Sequence, residues 1–138
     1  MRYFKLTYDE LELDTALSEL RSDDLGAHVV FVGTVRNFAK NKEVVALEFE
    51  AYEPMALSEL ELIANELELK WNVRHVLLHH RLGRVEVGGI PVIAIVSSVH
   101  RSEAFEACAY LMDRLKESVP IWKKEIFTDG SAWVSPNP

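Results

Sequence analysis

The stretch "DRLKESVPIWKKE", residues 113–125, holds the residue that most limits how this chain can fold. Pro120 has no amide hydrogen, and its ring blocks a continuing helix, so the helical run before it must stop there. The chain then turns and can run back beside the helix end. Lys116 stands in the last part of that helix, and Lys123 lies three residues beyond the proline. Folded this way, the two ammonium groups approach each other. Each disfavours the other's charge, which lowers at least one pKa, and together they attract an anion. Lys124 alternates to the opposite strand face and reads as a solvated surface charge.

Strands and helices alternate through the remainder. "RYFKLTY" reads as a first strand. "LDTALSELRSDDLGA" reads as a short helix with Asp14 as N-cap, a stripe of Leu13, Ala16, Leu17 and Leu20, and Gly26 closing the connection. "HVVFVGTVR" is a β-branched strand that ends in a glycine and an arginine, and "NFAKNKE" is a polar loop. In "VVALEFEAY", Val45, Leu47, Phe49 and Ala51 face one way, Glu48 and Glu50 the other. Pro54 suits the first turn of a helix over 54–70, where Leu57, Leu60, Ile63, Ala64 and Leu67 recur at helical spacing. "VRHVLLHHRLG" and "PVIAIVSSVHR" are two further strands around the turn-rich "GRVEVGGI". Ser102 is expected to cap a third helix over 103–118. Phe105, Cys108, Ala109, Met112 and Leu115 form its stripe, with Lys116 near the middle. "IWKKEIF" is a short strand, "TDGS" a turn and "AWV" an extended end. The sum predicts one α+β domain over residues 1–138, with a mostly antiparallel sheet and about three helices. A length of 138 residues is that of one ordinary domain, and a 49% apolar composition is enough for a real core.

The same composition removes several function classes. No long uncharged apolar run is present, so no transmembrane helix is expected. The start, "MRYFKLTYDE", turns acidic too early for a signal peptide. Cys108 is the only cysteine, which rules out an internal disulfide and CxxC chemistry and fits a reducing cytoplasm. An excess of 22 acidic over 15 basic residues argues against a nucleic-acid surface. A local cationic pocket can still bind a small anion, whatever the net charge of −7.

Lys116 has two readings. Its stem can cover apolar surface while the ammonium reaches water and favours the helix dipole. Alternatively it is partly desolvated, with a pKa lowered into a useful range. Arg36 ends "GTVR", and His100 and Arg101 end "SSVHR" just before a helix, whose first N–H groups favour an anion. Taken singly, each arginine reads as a surface ion pair and His100 as a hydrogen-bonded structural histidine. Together with the lysines they suggest a pocket for a phosphate-bearing ligand. His75, His79 and His80 lack a cysteine or acidic pair to complete a metal site, so no metal is expected. Cys108 reads as a buried, inert thiol. Gly83, Gly88 and Gly89 spell no phosphate loop and read as hairpin turns. Trp71, Trp122 and Trp133 read as packing residues, with Trp122 placed to line a planar ligand.

"FVGTVR", "LEFEAYEPMA", "HHRLGRVEVGG", "SSVHRSEAFEA" and "LKESVPIWKKE" occur in the order found in the large, catalytic subunit of molybdopterin synthase, and from about residue 25 to 134 the chain resembles that family. The resemblance implies an α/β hammerhead fold with an added antiparallel subdomain. It implies sulfur transfer onto cyclic pyranopterin monophosphate, giving the dithiolene of molybdopterin, with no cofactor. The implied donor is the thiocarboxylated Gly-Gly C-terminus of a small ubiquitin-like subunit, which threads into a pocket. The implied assembly is a central homodimer with one small subunit at each end. Lys116 and Lys123 resemble the family's two essential lysines. Arg36, His100 and Arg101 resemble its anion pocket, and Glu125 its acidic residue after the second lysine. The family also borrows residues across the dimer near the C-terminus, and no basic residue follows Lys124 here. Two other readings use the same cations: a non-catalytic anion-binding regulatory domain, and an oligomerisation module in which they form interface ion pairs.

Overall fold

A computed structural model describes residues 1–135. The elements run β1 (Arg2–Thr7), α1 (Leu13–Ser18), β2 (Ala27–Gly33), β3 (Phe38–Ala39), β4 (Lys42–Ala51), α2 (Glu53–Lys70), β5 (Val73–Arg81), β6 (Gly83–Glu86), β7 (Val92–Ser98), α3 (Arg101–Ser118), β8 (Ile121–Phe127) and β9 (Ala132–Ser135). They form two sheets. The first has the order β1-β5-β7-β2 and is antiparallel except for β1 beside β5. The second runs β3-β4-β8-β9, with β6 also paired to β4, and is antiparallel throughout. The expected α+β class, mostly antiparallel pairing and three helices are what the chain adopts.

The two central strands of the first sheet are apolar on both faces. Val76 and Leu78 of β5, with Ala94 and Val96 of β7, join the core beneath α2 and α3. Leu77, Ile93 and Ile95 face the other way and pack with Ala16 and Leu20 around α1. Such strands read as continuous apolar runs because neither face meets water. The chain leaves β5 at Leu82 and enters β6 of the second sheet at once. Gly83 makes that corner with a φ of 82°, a conformation in which a Cβ is disfavoured. A Cβ there would also sit 3.0 Å from the Tyr8 ring.

Five local expectations shift. Asp14 lies in the first turn of α1 rather than at its cap, which is Glu12, and no side chain caps that helix. Likewise α3 begins at Arg101 with His100 at the cap position, so Ser102 lies inside the first turn. A bulge at Val45 puts Val44 and Ala46, not Val45, in the buried set, before the pattern recovers at Phe49. The buried face of α3 is Ala104, Ala107, Cys108, Leu111 and Leu115, while Phe105 is 61% exposed. The small alanines let α3 lie close against β2 and β7. A stripe chosen by the larger side chains is therefore turned away from the true one. On α2, likewise, Ala56 is buried and Leu57 is exposed.

Among the described residues no helix is long and apolar enough to cross a membrane. Cys108 is buried, and burial raises its thiol to about 11, so it stays protonated and unreactive at neutral pH. The described part of the segment that follows the last cation ends at Ser135, and residues 136–138 lie outside the described residues.

The placement of the α3 face is open to test by urea unfolding. Leu111→Ala should cost about 2 to 5 kcal/mol, the range for a fully buried leucine. Leu69→Ala, at an 88% exposed position, should stay within about 0.5 kcal/mol of the parent.

Candidate active site

Pro120 does what its chemistry requires. The helix hydrogen bonding ends with the Val119 N–H donating to the Leu115 carbonyl. The Pro120 carbonyl then accepts from the Tyr52 N–H at 3.1 Å, and this bond starts β8 alongside β4. From there Ile121 pairs with Ala51, Lys123 with Phe49 and Glu125 with Leu47. Lys123 and Glu125 share one face of β8, so both return beneath the last turn of α3, where Lys116 sits.

These residues line a cavity of about 470 Å³ together with Thr34, Arg36, Lys40, Val44, Leu47 and Ser135. The connector after β2 brings in Thr34 and Arg36. It is held by two backbone bonds, Val35 N–H to the Gly89 carbonyl and Gly88 N–H to the Val35 carbonyl. Lys40 comes from the turn between β3 and β4, where Lys40 and Asn41 both have positive φ, 51° and 61°. A two-residue hairpin loop of that hand matches the strand twist. Asparagine is common there, whereas a lysine in the left-handed region carries strain. The turn brings the Lys40 ammonium within 3.4 Å of Glu125 Oε1 and 5.0 Å from the centre of the Trp133 ring.

Four cations and one carboxylate thus face one space. Glu125 is 3% exposed; one of its oxygens pairs with Lys40, and the other, Oε2, has no hydrogen-bond partner among the described residues. Elsewhere the basic side chains that meet acids do so on the outer surface: Arg2 with Glu61 and Glu68, Lys42 with Asp129, Arg74 with Asp24, Arg84 with Glu86, and Arg114 with Glu66 and Glu117. Arg36, Lys116 and Lys123 form no ion pair among the described residues. The Arg36 guanidinium instead lies 5.4 Å over the Phe38 ring. Lys123 is the half-buried member, and its pKa is lowered first by desolvation and further by Arg36, Lys40 and Lys116, with Glu125 acting in the opposite direction. Lys116 itself is exposed at the rim, not embedded in the apolar stripe. The desolvated lysine is therefore the one beyond the proline.

His100 and Arg101 do not join this cavity within one chain. They stand at the opposite end of α3, about 22 Å along the helix axis from Lys116 at 1.5 Å per residue. The expectation that they share the lysines' pocket fails for a single protomer, because they stand at opposite ends of a helix eighteen residues long. Trp122 also points elsewhere, sharing the Lys124 face and donating its indole N–H to Glu50; the tryptophan beside Lys40 is Trp133. Sequence reasoning missed Lys40 by reading residues 37–43 as a loop, though an asparagine between two short extended pieces is a hairpin signal. Of the three histidines on β5, His75 packs on Tyr3, His79 faces Lys5 and Glu19, and His80 packs on Phe49. Among the described residues no cluster of three or more potential metal ligands forms.

A second chamber of about 330 Å³ adjoins the first and shares Thr34, Leu47, Lys116 and Lys123 with it. Its other walls are mainly apolar: Phe31, Phe49, Val92, Met112 and Leu115. A ligand bridging the two would meet cations on one side, hydrocarbon on the other and both lysines at the boundary.

Residues 6–118 match the family model described as MoaE protein. The molybdopterin synthase catalytic subunit of Bacillus subtilis is 40% identical over 134 residues, covering 97% of this chain and 85% of that protein. Among solved structures, molybdopterin synthase from Staphylococcus aureus superposes with a TM-score of 0.90 at 36% identity and covers 98% of both chains. The protein–protein complex of subunits 1 and 2 of the molybdopterin-converting factor from Helicobacter pylori gives 0.77 at 25% identity, over 91% of this chain and 86% of that one.

The electrostatics make a direct forecast for Lys123. In a side-chain NMR titration it should lose its proton below the ordinary lysine value of about 10.4. Lys116→Ala should raise that midpoint and Glu125→Gln should lower it further. Because the folded pKa lies below the unfolded value, the unfolded chain holds more protons between the two. The resulting penalty on folding is fully present below the folded pKa and fades as pH rises toward about 10.4. Lys123→Met should therefore be at least as stable as the parent at neutral pH, with the difference shrinking as the pH approaches about 10.4.

Proposed function

The chain belongs to the MoaE protein family of molybdopterin synthase catalytic subunits, and from that membership we propose that the cationic cavity is where a pterin phosphate receives sulfur. The family's role is that of a sulfurtransferase in molybdenum cofactor biosynthesis. The observation that carries the assignment to this cavity is the convergence of Arg36, Lys40, Lys116 and Lys123, from four separate segments, on one space in a chain of net charge −7. We take residues 1–138 as one catalytic-subunit domain.

The donor is the thiocarboxylated Gly-Gly tail of a small ubiquitin-like partner, and the acceptor is cyclic pyranopterin monophosphate. In each transfer the tail's sulfur forms a bond to a pterin side-chain carbon as that carbon's bond to oxygen breaks, the oxygen leaving as a ring or phosphate oxygen or as water; water then cleaves the acyl carbon–sulfur bond and returns the tail as a carboxylate. Two such transfers give the dithiolene. Negative charge grows on the acyl oxygen and on the opened ring oxygen. Fixed cations in a partly dry site stabilise that charge more than water does. Lys116, exposed at the boundary of the two chambers, stands where an incoming carbonyl would arrive. Lys123, its pKa lowered by desolvation, gives up a proton more readily than a fully solvated lysine. Arg36 and Lys40 are placed to hold the phosphate, and Glu125 fixes Lys40 while keeping part of Lys123's charge. No enzyme thiol takes part, consistent with the buried, protonated Cys108. A thiocarboxylate donor also requires a compartment that does not oxidise sulfur, which favours the cytoplasm.

His100 and Arg101 fit this reading if the chain forms a homodimer that sets the start of one α3 beside the partner's cavity. The exposed pair would then complete the anion site in trans. A purely regulatory pocket is disfavoured, since relatives of this similarity are named as catalytic subunits.

Lys116→Ala should lower product formation with thiocarboxylated partner by about 100-fold or more with the fold intact; unchanged turnover would remove Lys116 from the chemistry. A partner shortened by its two glycines should bind far more weakly. Mixing Lys116→Ala with Arg101→Ala chains should restore activity, because one cavity of the mixed dimer then has both native residues. No recovery on mixing, with dimer exchange verified, would exclude the arrangement in trans.

A further inference from the structure

His80 is fully buried at 0% exposure on the inner face of β5, where its ring meets Phe49 edge-on at 4.9 Å and lines the apolar chamber. Its Nδ1 lies 2.8 Å from the Arg81 carbonyl. A carbonyl oxygen only accepts, so Nδ1 carries the hydrogen. Burial holds the ring neutral, with a pKa of about 4. Nε2 is then a bare lone pair, closed off from solvent and without a hydrogen-bond partner among the described residues, so a donor reaches it only where the chamber wall yields. The chamber thus has mainly hydrocarbon walls, with two lysines and the exposed Asp113 among its lining, and in His80 one buried, uncharged acceptor.

That combination selects its occupant. A phosphate gains nothing from a lone pair and belongs among the cations next door. An uncharged group with an N–H and little side chain suits the acceptor and the apolar walls together. A two-residue extended peptide spans about 7 Å, so a short tail can reach into the chamber while its terminal carbon stays near Lys116 and Lys123. We propose that His80 is a positioning residue whose Nε2 accepts a hydrogen bond from a backbone N–H of the partner's glycine tail in the apolar chamber. This rests on the sulfur-transfer reading above and adds to it a specific anchor for the donor.

The test is steady-state kinetics with thiocarboxylated partner and pterin substrate on the full-length chain. His80→Phe keeps a ring and removes the acceptor. It should raise KM for the partner at least tenfold and leave KM for the pterin and kcat at saturating partner within twofold. His80→Gln, which offers an amide oxygen near the Nε2 position, should recover most of the loss. A role confined to packing would not move one KM without the other. An unchanged partner KM in a folded His80→Phe chain overturns the proposal, as does a rise confined to the pterin KM. A second measurement does not depend on the variant's folding. In native protein with ¹⁵N-labelled histidine, a synthetic peptide ending in Gly-Gly should shift the Nε2 resonance of His80 and leave Nδ1 in place. The same peptide N-methylated at its final amides should bind at least tenfold more weakly. No Nε2 shift at saturating peptide overturns the proposal. Absence of turnover in the native chain would count against the sulfur-transfer reading alone, because the peptide titration reads His80 directly.

Discussion

The bond from the Tyr52 N–H to the Pro120 carbonyl is the hinge on which the site depends. It is the first rung after α3 has ended, and it commits β8 to run along β4. Every later rung follows from it: Lys123 opposite Phe49, Glu125 opposite Leu47, and then β9 along β8. A one-residue slip would send Lys123 and Glu125 to the outer face and bring Lys124 in. The helix-breaking residue and the strand register are therefore one constraint, and the convergence of cations follows from it.

The charge pattern supports the same view. This is an acidic chain that neutralises Arg2, Arg74, Arg84 and Arg114 with carboxylates on its outside. It leaves Arg36, Lys116 and Lys123 without such partners among the described residues, in a cavity with a single buried carboxylate. Desolvation of Lys123 and, after it, repulsion between these cations are standing costs to the fold, and both lower the pKa of Lys123. An anionic ligand relieves it. The strained left-handed turn at Lys40 adds a further cation at a position where glycine or asparagine would be easier.

Much of this was legible in the sequence. The strands, the long helices and the turn after Pro120 follow from periodicity and from proline's missing hydrogen. The pairing of Lys116 with Lys123 follows from their spacing about that break. The phase of α3 was not legible, because alanines at 104 and 107 carry the close contact while Phe105, larger and more apolar, faces outward. Lys40 was hidden because a two-residue ladder resembles a loop until its partner strand is known. His80 was hidden among neighbouring histidines, since strand alternation says which face it takes but not that the face closes over it. The separation of His100 and Arg101 from the lysines was implicit in the length of α3. A ligand assembled from two protomers leaves no mark in one chain's spacing.

The corner at Gly83 has a mechanical consequence. Phe49 of the second sheet pairs with Gly83, three residues beyond His80 of the first, and the two rings touch across the gap. The corner at Gly83 thus couples the tilt between the sheets to the aperture beside His80. A residue there that resisted a positive φ would not act at the site of chemistry at all; it would change the calibre of the passage leading to it.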